Sequence, residues 1–328
     1  MTLQDLHWFT EELWGTEGYD QPERPWVHEP ASPADSPYRR RPTAAATRGR
    51  AAQRACVVGG GLIGIEAVEV LVAKGIATTF LIREDAFWPI ALDAAEAAWV
   101  SDALRAHGVD VRLGHEVTAV HGDAEGCVQR VDTHQDSIDT DLLMVAIGVV
   151  PQTGWLGHSG LALDAGSGGI VVNERLQTSD PHAYAAGDCA AVRWFNGWVR
   201  PEQLWYTGRD QGRIAAASLL GASARYERGT WYNSAKLMDI EYTTVGLVNM
   251  QVEGEENWFH QETGRVRSTT RLVHKEGCLI GFNALGRRWD HRLIAQWIEE
   301  RRPLEWVRRH LHLAGFDTEF VPPLELPA

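Results

Sequence analysis

Three glycines near residue 60 have the spacing of a phosphate-binding turn. Gly59, Gly61 and Gly64 fit the pattern G-x-G-x-x-G and directly follow a short apolar run, Ala55–Val58. The first glycine permits a tight turn, the second lets a pyrophosphate approach the backbone, and the third lets a helix pack closely on the strand. A helix that starts here also directs free N–H groups and its positive dipole end at the phosphates. The pattern predicts a dinucleotide site; the alternative is a glycine-rich turn that holds no ligand.

The end of the next predicted strand, Thr78–Ile82, bears on the choice between NADH and NADPH. A carboxylate at this place binds the ribose 2′-hydroxyl in many dinucleotide folds, whereas an arginine can bind a 2′-phosphate. Ile82 occupies the expected position, and Arg83 and Glu84 follow it. Because the arginine favours a phosphate and the Glu84 carboxylate repels one, we expect a slight preference for NADPH. The alternative is that Arg83 is an exposed loop residue.

The hydrophobic pattern around these residues predicts the parallel sheet that must position them. A helical stretch covers Leu62–Lys74 and stops at Gly75, where glycine is favoured as a C-terminal cap. A second helix is predicted over Ala91–His107 and a third strand over Val109–Leu113. Strands and helices that alternate in this way imply a parallel sheet with right-handed crossovers. Further elements are predicted as strands at Val117–Val120, Cys127–Thr133, Leu142–Ala146, Ile170–Val172, Glu241–Leu247 and Thr269–His274, and as helices at Gln203–Leu220 and Asp290–Arg301.

Composition limits the classes of protein to which the chain can belong. Of its 328 residues 44% are hydrophobic and 23% are charged, which is typical of a globular protein with a core. Lysine and arginine number 31 against 44 acidic residues, so a nucleic-acid partner is not expected. Neither a membrane span nor a basic signal segment is recognisable. The four cysteines have no pairing spacing, which favours a reducing cytoplasm, and no metal site is predicted.

Residues 1–50 differ in composition from the rest of the chain. Thr2–Trp14 can form one short amphipathic helix, whereas Gly15–Arg50 is rich in proline, alanine, arginine and serine. Repeated prolines are incompatible with a regular helix or a central strand. The segment is therefore predicted to be an extended arm or linker.

Three blocks of sequence resemble the pyridine nucleotide-disulfide oxidoreductase superfamily. The blocks are Gly59–Glu66, Val145–Pro151 and Gly169–Asp188, and their order and separation match that superfamily over residues 51–328. The C-terminal runs Lys236–Ile240 and Arg271–Gly281 look most like its ferredoxin, rubredoxin and nitrite reductase branch.

The resemblance implies an α/β fold with a Rossmann-type, three-layer NAD(P) domain, part of an FAD domain and a C-terminal α+β interface domain. The expected boundaries are 1–50 for the N-terminal helix and arm, 51–152 for the NAD(P)-binding domain, 153–228 for the second half of the FAD-binding domain, and 229–328 for the interface domain.

The resemblance also implies roles for single residues. Glu66, the catalytic candidate, would face the junction of nicotinamide and flavin. Asp188 would accept hydrogen bonds from the ribityl chain of FAD, donors that a buried carboxylate needs to stay ionised. Gln211 and Gly212 would lie near a helix N-terminus that points at the pyrimidine edge of the flavin, and Trp205 would lie close to the ring. The candidate cofactor-binding residues are Gly59, Gly61, Leu62, Ile63, Gly64, Glu66, Arg83, Ile147, Gly148, Gly187, Asp188, Trp205, Gln211 and Gly212.

The chain departs from the superfamily pattern before its glycine-rich turn. A first FAD-binding segment with its own glycine-rich loop normally precedes the NAD(P) domain, and here only residues 1–50 stand before that domain. We therefore expect half of the FAD site, and the usual lysine partner of Glu66, to be missing. A partner chain, or a piece of the protein upstream of this sequence, would supply them; another hypothesis is that residues 1–50 close the FAD domain themselves.

These expectations combine into a predicted function. The chain is expected to be a flavin-dependent NAD(P)H oxidoreductase that uses FAD and passes a hydride from nicotinamide to flavin. The electrons would go on to a small molecule such as a quinone, or to a small iron–sulfur protein. The alternative is a non-catalytic NAD(P)-binding subunit or scaffold. The resemblance is also compatible with a homodimer formed through the C-terminal domain.

Overall fold

The computed structural model describes residues 52–194, 197–250, 253–263, 266–316 and 324. They form two compact units. One combines the described residues up to Ile147 with those from Tyr232 onward, and the other is Gly148–Trp231. The helix and arm predicted for residues 1–50 lie outside the described residues. Within the described part, no helix is long and apolar enough to cross a bilayer.

The first unit begins with the alternating strands and helices that the sequence predicts. Its strands are β1 Arg54–Val58, β2 Ala77–Ile82, β3 Asp110–Leu113, β4 Val117–Gly122, β5 Val128–Thr133, β6 Ser137–Asp139 and β7 Leu142–Val145, and its first helices are α1 Leu62–Ala73 and α2 Ala94–Ala106. A parallel sheet has the order β3-β2-β1-β7, and β4, β5 and β6 form a separate antiparallel sheet. The predicted α/β class is confirmed, whereas β6 had no recognisable signal in the sequence.

The start of α2 differs from the prediction, which placed it at Ala91. Asp93 is the N-cap, and its carboxylate accepts a hydrogen bond from the Glu96 N–H at 2.8 Å. The Glu96 carboxylate in turn accepts one from the Asp93 N–H at 2.9 Å. Such a reciprocal capping box fixes the first turn of a helix, so the residues before Asp93 belong to the preceding loop.

The second unit is built around a small mixed sheet and one long helix. Its elements are β8 Ile170–Val171, β9 Ala190–Arg193, β10 Val199–Arg200 and α3 Trp205–Leu219. The sheet has the order β10-β9-β8, with β8 parallel to β9 and β10 antiparallel to it. Its buried apolar core contains Leu156, Ile170, Val172, Leu176, Ala185, Ala190, Val192 and Ala215.

The chain then returns to the first unit as an antiparallel sheet. The elements are β11 Tyr232–Leu237, β12 Ile240–Gly246, β13 Glu255–Thr263, β14 Arg267–Lys275, β15 Cys278–Leu285, α4 His291–Glu299 and α5 Leu304–His310. The sheet has the order β11-β12-β15-β14-β13. Phe282 and Leu272 share an apolar cluster with residues of α4 and α5, whereas Tyr242 and Leu285 share another with residues of α1 and α2. The C-terminal sheet therefore packs directly on the parallel-sheet fold.

Candidate functional site

The first glycine of the turn has a backbone that only glycine adopts easily. Gly59 directly follows β1 and has φ +117°, and its N–H donates to the Leu81 carbonyl at 2.9 Å. A Cβ atom at Gly59 would lie 2.2 Å from the Ala146 carbonyl oxygen. The β1–α1 turn is thus held against the ends of the two neighbouring strands, with no space for a side chain at Gly59.

Gly64 and Gly61 serve different purposes in the same turn. A Cβ atom at Gly64 would lie 2.0 Å from the Gly59 carbonyl oxygen and 3.1 Å from the Phe80 ring, so this glycine is needed for close packing of α1. Gly61, the N-cap of α1, has extended backbone, and a Cβ atom there would meet no described atom within 4 Å. The turn therefore has no space for a side chain at Gly64, whereas the space next to Gly61 is open.

The open side of the turn is the N-terminus of α1. The first N–H groups of a helix have no intrahelical acceptor, and no side chain in the described part caps this end. Leu62 and Ile63 begin the helix, and 53% of Ile63 is exposed. The free N–H groups can donate hydrogen bonds to a pyrophosphate, and the positive dipole end of the helix favours its negative charge. The open space at Gly61 lets the phosphates approach the backbone. The turn therefore fits a dinucleotide.

Arg83 lies where the sequence places it, directly after β2, and its side chain is 71% exposed. Its guanidinium Nη2 lies 2.8 Å from Glu84 Oε1, so the two side chains that bear on the choice of coenzyme are paired with each other. The Glu84 carbonyl accepts a hydrogen bond from the Gly114 N–H at 2.9 Å. The start of this loop is thereby fixed to the end of β3.

Glu66 lies on α1, one turn beyond the glycine-rich segment, and is half-buried. Burial raises the pKa of its carboxyl group. Among the described residues none makes a hydrogen bond or an ion pair with it. An acidic side chain that is half-buried with no partner among the described residues carries a free-energy cost in its charged form, which is typical of functional positions.

Replacing Glu66 with glutamine is expected to stabilise the first unit at neutral and alkaline pH. A carboxyl group whose pKa is raised on folding opposes folding in its charged form, at any pH above its ordinary pKa. Glu66→Gln should therefore raise the unfolding temperature at pH 8, and the gain should fade as the pH falls toward about 4, where the wild-type group is protonated. Thermal unfolding followed by circular dichroism at several pH values measures this. An equal gain at both ends of the pH range would show that charge is not the cause.

Ile147 and Gly148 lie at the junction of the two units. Ile147 closes the first unit and is 74% exposed, just after Ala146, whose N–H donates to the Val58 carbonyl at 2.7 Å. Gly148 opens the second unit with φ +109°. Ala146, the neighbour of Ile147, is thus hydrogen-bonded at the end of β1, while Gly148 has a backbone conformation that favours glycine.

In the second unit, Gly187 and Asp188 form a single 3-10 turn, Gly187–Cys189, before β9. Gly187 has φ +79°, and its N–H donates to Gln211 Oε1 at 2.7 Å. Asp188 is exposed, not buried as the sequence-based argument assumed. Its carboxylate is consequently accessible to donors from a ligand.

The predicted place of Gln211 and Gly212 at a helix N-terminus is wrong. α3 begins at Trp205, so both residues lie in the interior of the helix. Gln211 is fully buried and its side-chain oxygen accepts the hydrogen bond from the Gly187 N–H, whereas Gly212 is exposed. Trp205, the first residue of α3, is 74% exposed.

Sequence reasoning missed a buried ion pair of the second unit. Arg228 contacts both carboxylate oxygens of Glu202, Nε lying 2.9 Å from Oε2, and both side chains are 5% exposed. The Arg228 guanidinium also lies 4.6 Å from the centre of the Trp194 ring. Burial raises the pKa of Glu202, and Arg228 opposes that shift. No local signal links these residues, because the pair is made only by the fold.

Comparison with known proteins supports the assignment that the turn suggests. The sequence model of a family described as pyridine nucleotide-disulphide oxidoreductase matches residues 32–212, more than half of the chain. The match begins inside the segment 1–50 and contains both the glycine-rich turn Gly59–Gly64 and the turn of Gly187.

Two curated proteins and one solved structure illustrate the similarity. The ferredoxin reductase subunit of 5,5′-dehydrodivanillate O-demethylase from Sphingobium sp. is 34% identical over 244 residues, which are 73% of this chain and 57% of that protein. A ferredoxin–NAD(P)+ reductase from Sphingomonas sp. is 29% identical over 76% of this chain and 59% of its own length. The crystal structure of an FAD-dependent pyridine nucleotide-disulphide oxidoreductase from Desulfovibrio vulgaris superposes with a TM-score of 0.71 at 25% identity, over 80% of this chain and 69% of that one.

The chain thus spans less than two thirds of the length of these two curated relatives. The family match nonetheless covers the parallel-sheet fold, the glycine-rich turn of Gly59 and the turn of Gly187. The chain belongs to the pyridine nucleotide-disulphide oxidoreductase family.

Proposed function

We propose that the chain binds NAD(P)H at the turn Gly59–Gly64 as part of a flavin-dependent oxidoreductase that delivers electrons to an acceptor. The observation that carries this proposal is the open helix N-terminus at Gly61, set between two glycines whose packing leaves no space for a side chain. In the overall reaction NAD(P)H becomes NAD(P)+ with release of one proton, and two one-electron acceptors are each reduced once.

A flavin site is proposed in the second unit. When bound, a flavin accepts a hydride from the nicotinamide and returns electrons one at a time. The exposed Asp188 carboxylate offers acceptors for ribityl hydroxyl groups, and Trp205 offers an exposed ring. Gln211 keeps the Gly187 turn in place. The remaining part of an FAD site would come from residues 1–50, from a segment of the protein beyond this sequence, from a second copy or from a partner chain.

The proposed acceptor is a small iron–sulfur protein, with a small molecule such as a quinone as the alternative. Two relatives are named as ferredoxin reductases. One is the ferredoxin reductase subunit of an O-demethylase, and the other is a ferredoxin–NAD(P)+ reductase. Glu66 is proposed to lie at the coenzyme junction, where a half-buried carboxyl group with a raised pKa can hold a proton. We place the protein in the cytoplasm because its four cysteines are free.

The test of this proposal is the visible spectrum of the purified, desalted chain, with mass analysis of released cofactor and titration with NADPH and NADH. Flavin absorbance that bleaches on addition of either coenzyme supports the oxidoreductase, and size-exclusion chromatography then shows whether a dimer forms. A colourless chain that binds coenzyme supports the alternative, an NAD(P)-binding subunit that needs a partner for FAD. A chain that binds neither coenzyme contradicts the proposal.

Changing Arg83 to glutamate is expected to weaken NADPH far more than NADH. The slight preference for NADPH rests on this guanidinium, and a second carboxylate beside Glu84 would repel the 2′-phosphate. We expect about a tenfold loss for NADPH, on the order of one charge-assisted hydrogen bond. The matched variant Glu84→Gln, which frees Arg83 from its partner, should change affinity in the opposite direction. Equal effects on both coenzymes would contradict a role for this loop in discrimination.

A further inference from the structure

The loop 83–93, which leads from β2 to α2, is held by one side chain from β14 of the C-terminal sheet and by one from the segment that follows β12. Asn249 Nδ2 donates to the carbonyl oxygens of Pro89 and Leu92, each at 3.1 Å. Arg271 Nη2 donates to the Ala91 carbonyl at 2.9 Å. Three carbonyl groups of one loop turn are thus satisfied by two side chains that lie far away in the sequence.

Both donors are themselves fixed. Arg271, on β14, is 2% exposed; it donates to Asn249 Oδ1 through Nη1 and to Glu96 Oε2 through Nη2 at 3.0 Å. Asn283 Nδ2 donates to the other Glu96 oxygen at 3.0 Å. Asn249 has φ +53°, a left-handed backbone that asparagine tolerates well. Because buried polar groups lose free energy when left without partners, these contacts allow the loop little freedom.

An aromatic row links the same loop to the glycine-rich turn. Tyr242 of β12 lies 5.3 Å from Trp88 between ring centres, and Trp88 lies 6.4 Å from Phe87. Phe87 lies 6.3 Å from Phe80 of β2, whose ring would lie 3.1 Å from a Cβ atom at Gly64. Packed interiors transmit small displacements. A shift of the loop would therefore move the Phe80 ring that packs near Gly64 of α1, as well as Arg83 at the start of the loop.

We infer that Asn249 and Arg271 are positioning residues of the dinucleotide site. They fix the loop 83–93, whose first residue is Arg83, and they support the aromatic row that ends beneath Gly64. Neither residue is expected to touch the coenzyme. The inference rests on the proposed binding of NAD(P)H and adds that the C-terminal sheet is needed for tight binding, through loop 83–93.

The experiment compares two kinds of variant in the full chain. Asn249→Gly keeps the left-handed backbone and removes the side-chain hydrogen bonds; Asn249→Asp keeps the acceptor for Arg271 and removes the donors to the loop. The matched control is Arg287→Met, which breaks another largely buried pair near the end of β15, Arg287 Nε to Glu262 Oε2 at 2.7 Å. Dissociation constants for NADH and NADPH are measured by titration calorimetry, with unfolding temperatures in parallel.

Both Asn249 variants should raise the dissociation constants for the two coenzymes about tenfold, a usual size for coupling between distant groups. Arg287→Met should lower the unfolding temperature and leave binding within about twofold of the wild type. If the Asn249 variants bind like the wild type, or if Arg287→Met weakens binding equally, the positioning role is overturned while the proposed function stands. A wild-type chain that binds no coenzyme overturns both.

Discussion

Gly61→Asp is expected to abolish NADH and NADPH binding while leaving the thermal unfolding of the chain almost unchanged. A Cβ atom at Gly61 would meet no described atom within 4 Å, and the backbone there is extended, so we expect a side chain at this position to cause no strain in the turn. The carboxylate would stand where we propose the pyrophosphate to lie, and would itself accept from the free N–H groups of α1. Its negative charge and volume should weaken binding at least about a hundredfold, the equivalent of roughly 3 kcal/mol.

Two further variants make this prediction specific. Gly61→Ala tests whether steric occupation alone weakens binding, and Gly64→Ala tests the rear of the turn. A methyl group at Gly64 would lie 2.0 Å from the Gly59 oxygen, so that variant should unfold at a lower temperature and lose binding together with stability. Fluorescence titration and thermal unfolding of the three variants give the comparison. A Gly61→Asp chain that binds NADH normally would place the coenzyme elsewhere.

The glycine-rich turn could be predicted from the sequence because its physical requirements are local. The positive φ of Gly59 and the close approach at Gly64 arise within one strand–helix connection, and the residue types that satisfy them are few. The end of β2 could be predicted for the same reason. In each case the neighbours that decide the conformation are adjacent in the chain or in the same βα unit.

The polar contacts between distant segments could not be predicted in this way. Arg271 and Glu96 are separated by 175 positions, and each has the appearance of a surface residue in the sequence. Only the resemblance to the superfamily placed Gln211 near a helix end; its contact with the Gly187 turn, which lies 24 positions away, is made by the fold. Such pairs are determined by packing, and packing is not visible in local periodicity.

Glu202→Ala is expected to be the most destabilising single change in the second unit. Its carboxylate is the partner of Arg228, and both side chains are 5% exposed. Removing one member of a buried pair leaves the other charge without compensation, which costs about 3–5 kcal/mol. Glu202 lies just before the start of α3, and Gln211 lies within α3. Loss of the pair should therefore loosen the helix that holds the Gly187 turn.

The chain has two compact units, so a single global transition would not report on this change. Hydrogen exchange followed by mass spectrometry resolves the stability of separate segments. We expect faster exchange in peptides from β9 to the end of α3 and unchanged exchange in β1 and β2. The matched control is Arg225→Ala, which removes an exposed pair with Glu174 in the same unit, where both side chains are more than 60% exposed. Exposed pairs contribute little, so exchange should stay close to the wild type.

A double variant separates the structural role of the pair from any contact with a cofactor. Glu202→Gln combined with Arg228→Met removes both charges, and apolar or neutral replacements of buried pairs often restore stability. Slow exchange should then return to α3, because no isolated charge remains buried. Flavin absorbance is compared in the single and double variants after reconstitution with FAD. If Glu202→Ala lowers it and the double variant restores it, the pair acts only by holding α3 and its Gln211–Gly187 contact. If exchange is unaffected by Glu202→Ala alone, the buried pair does not stabilise this unit, and the Gly187 turn must depend on other contacts.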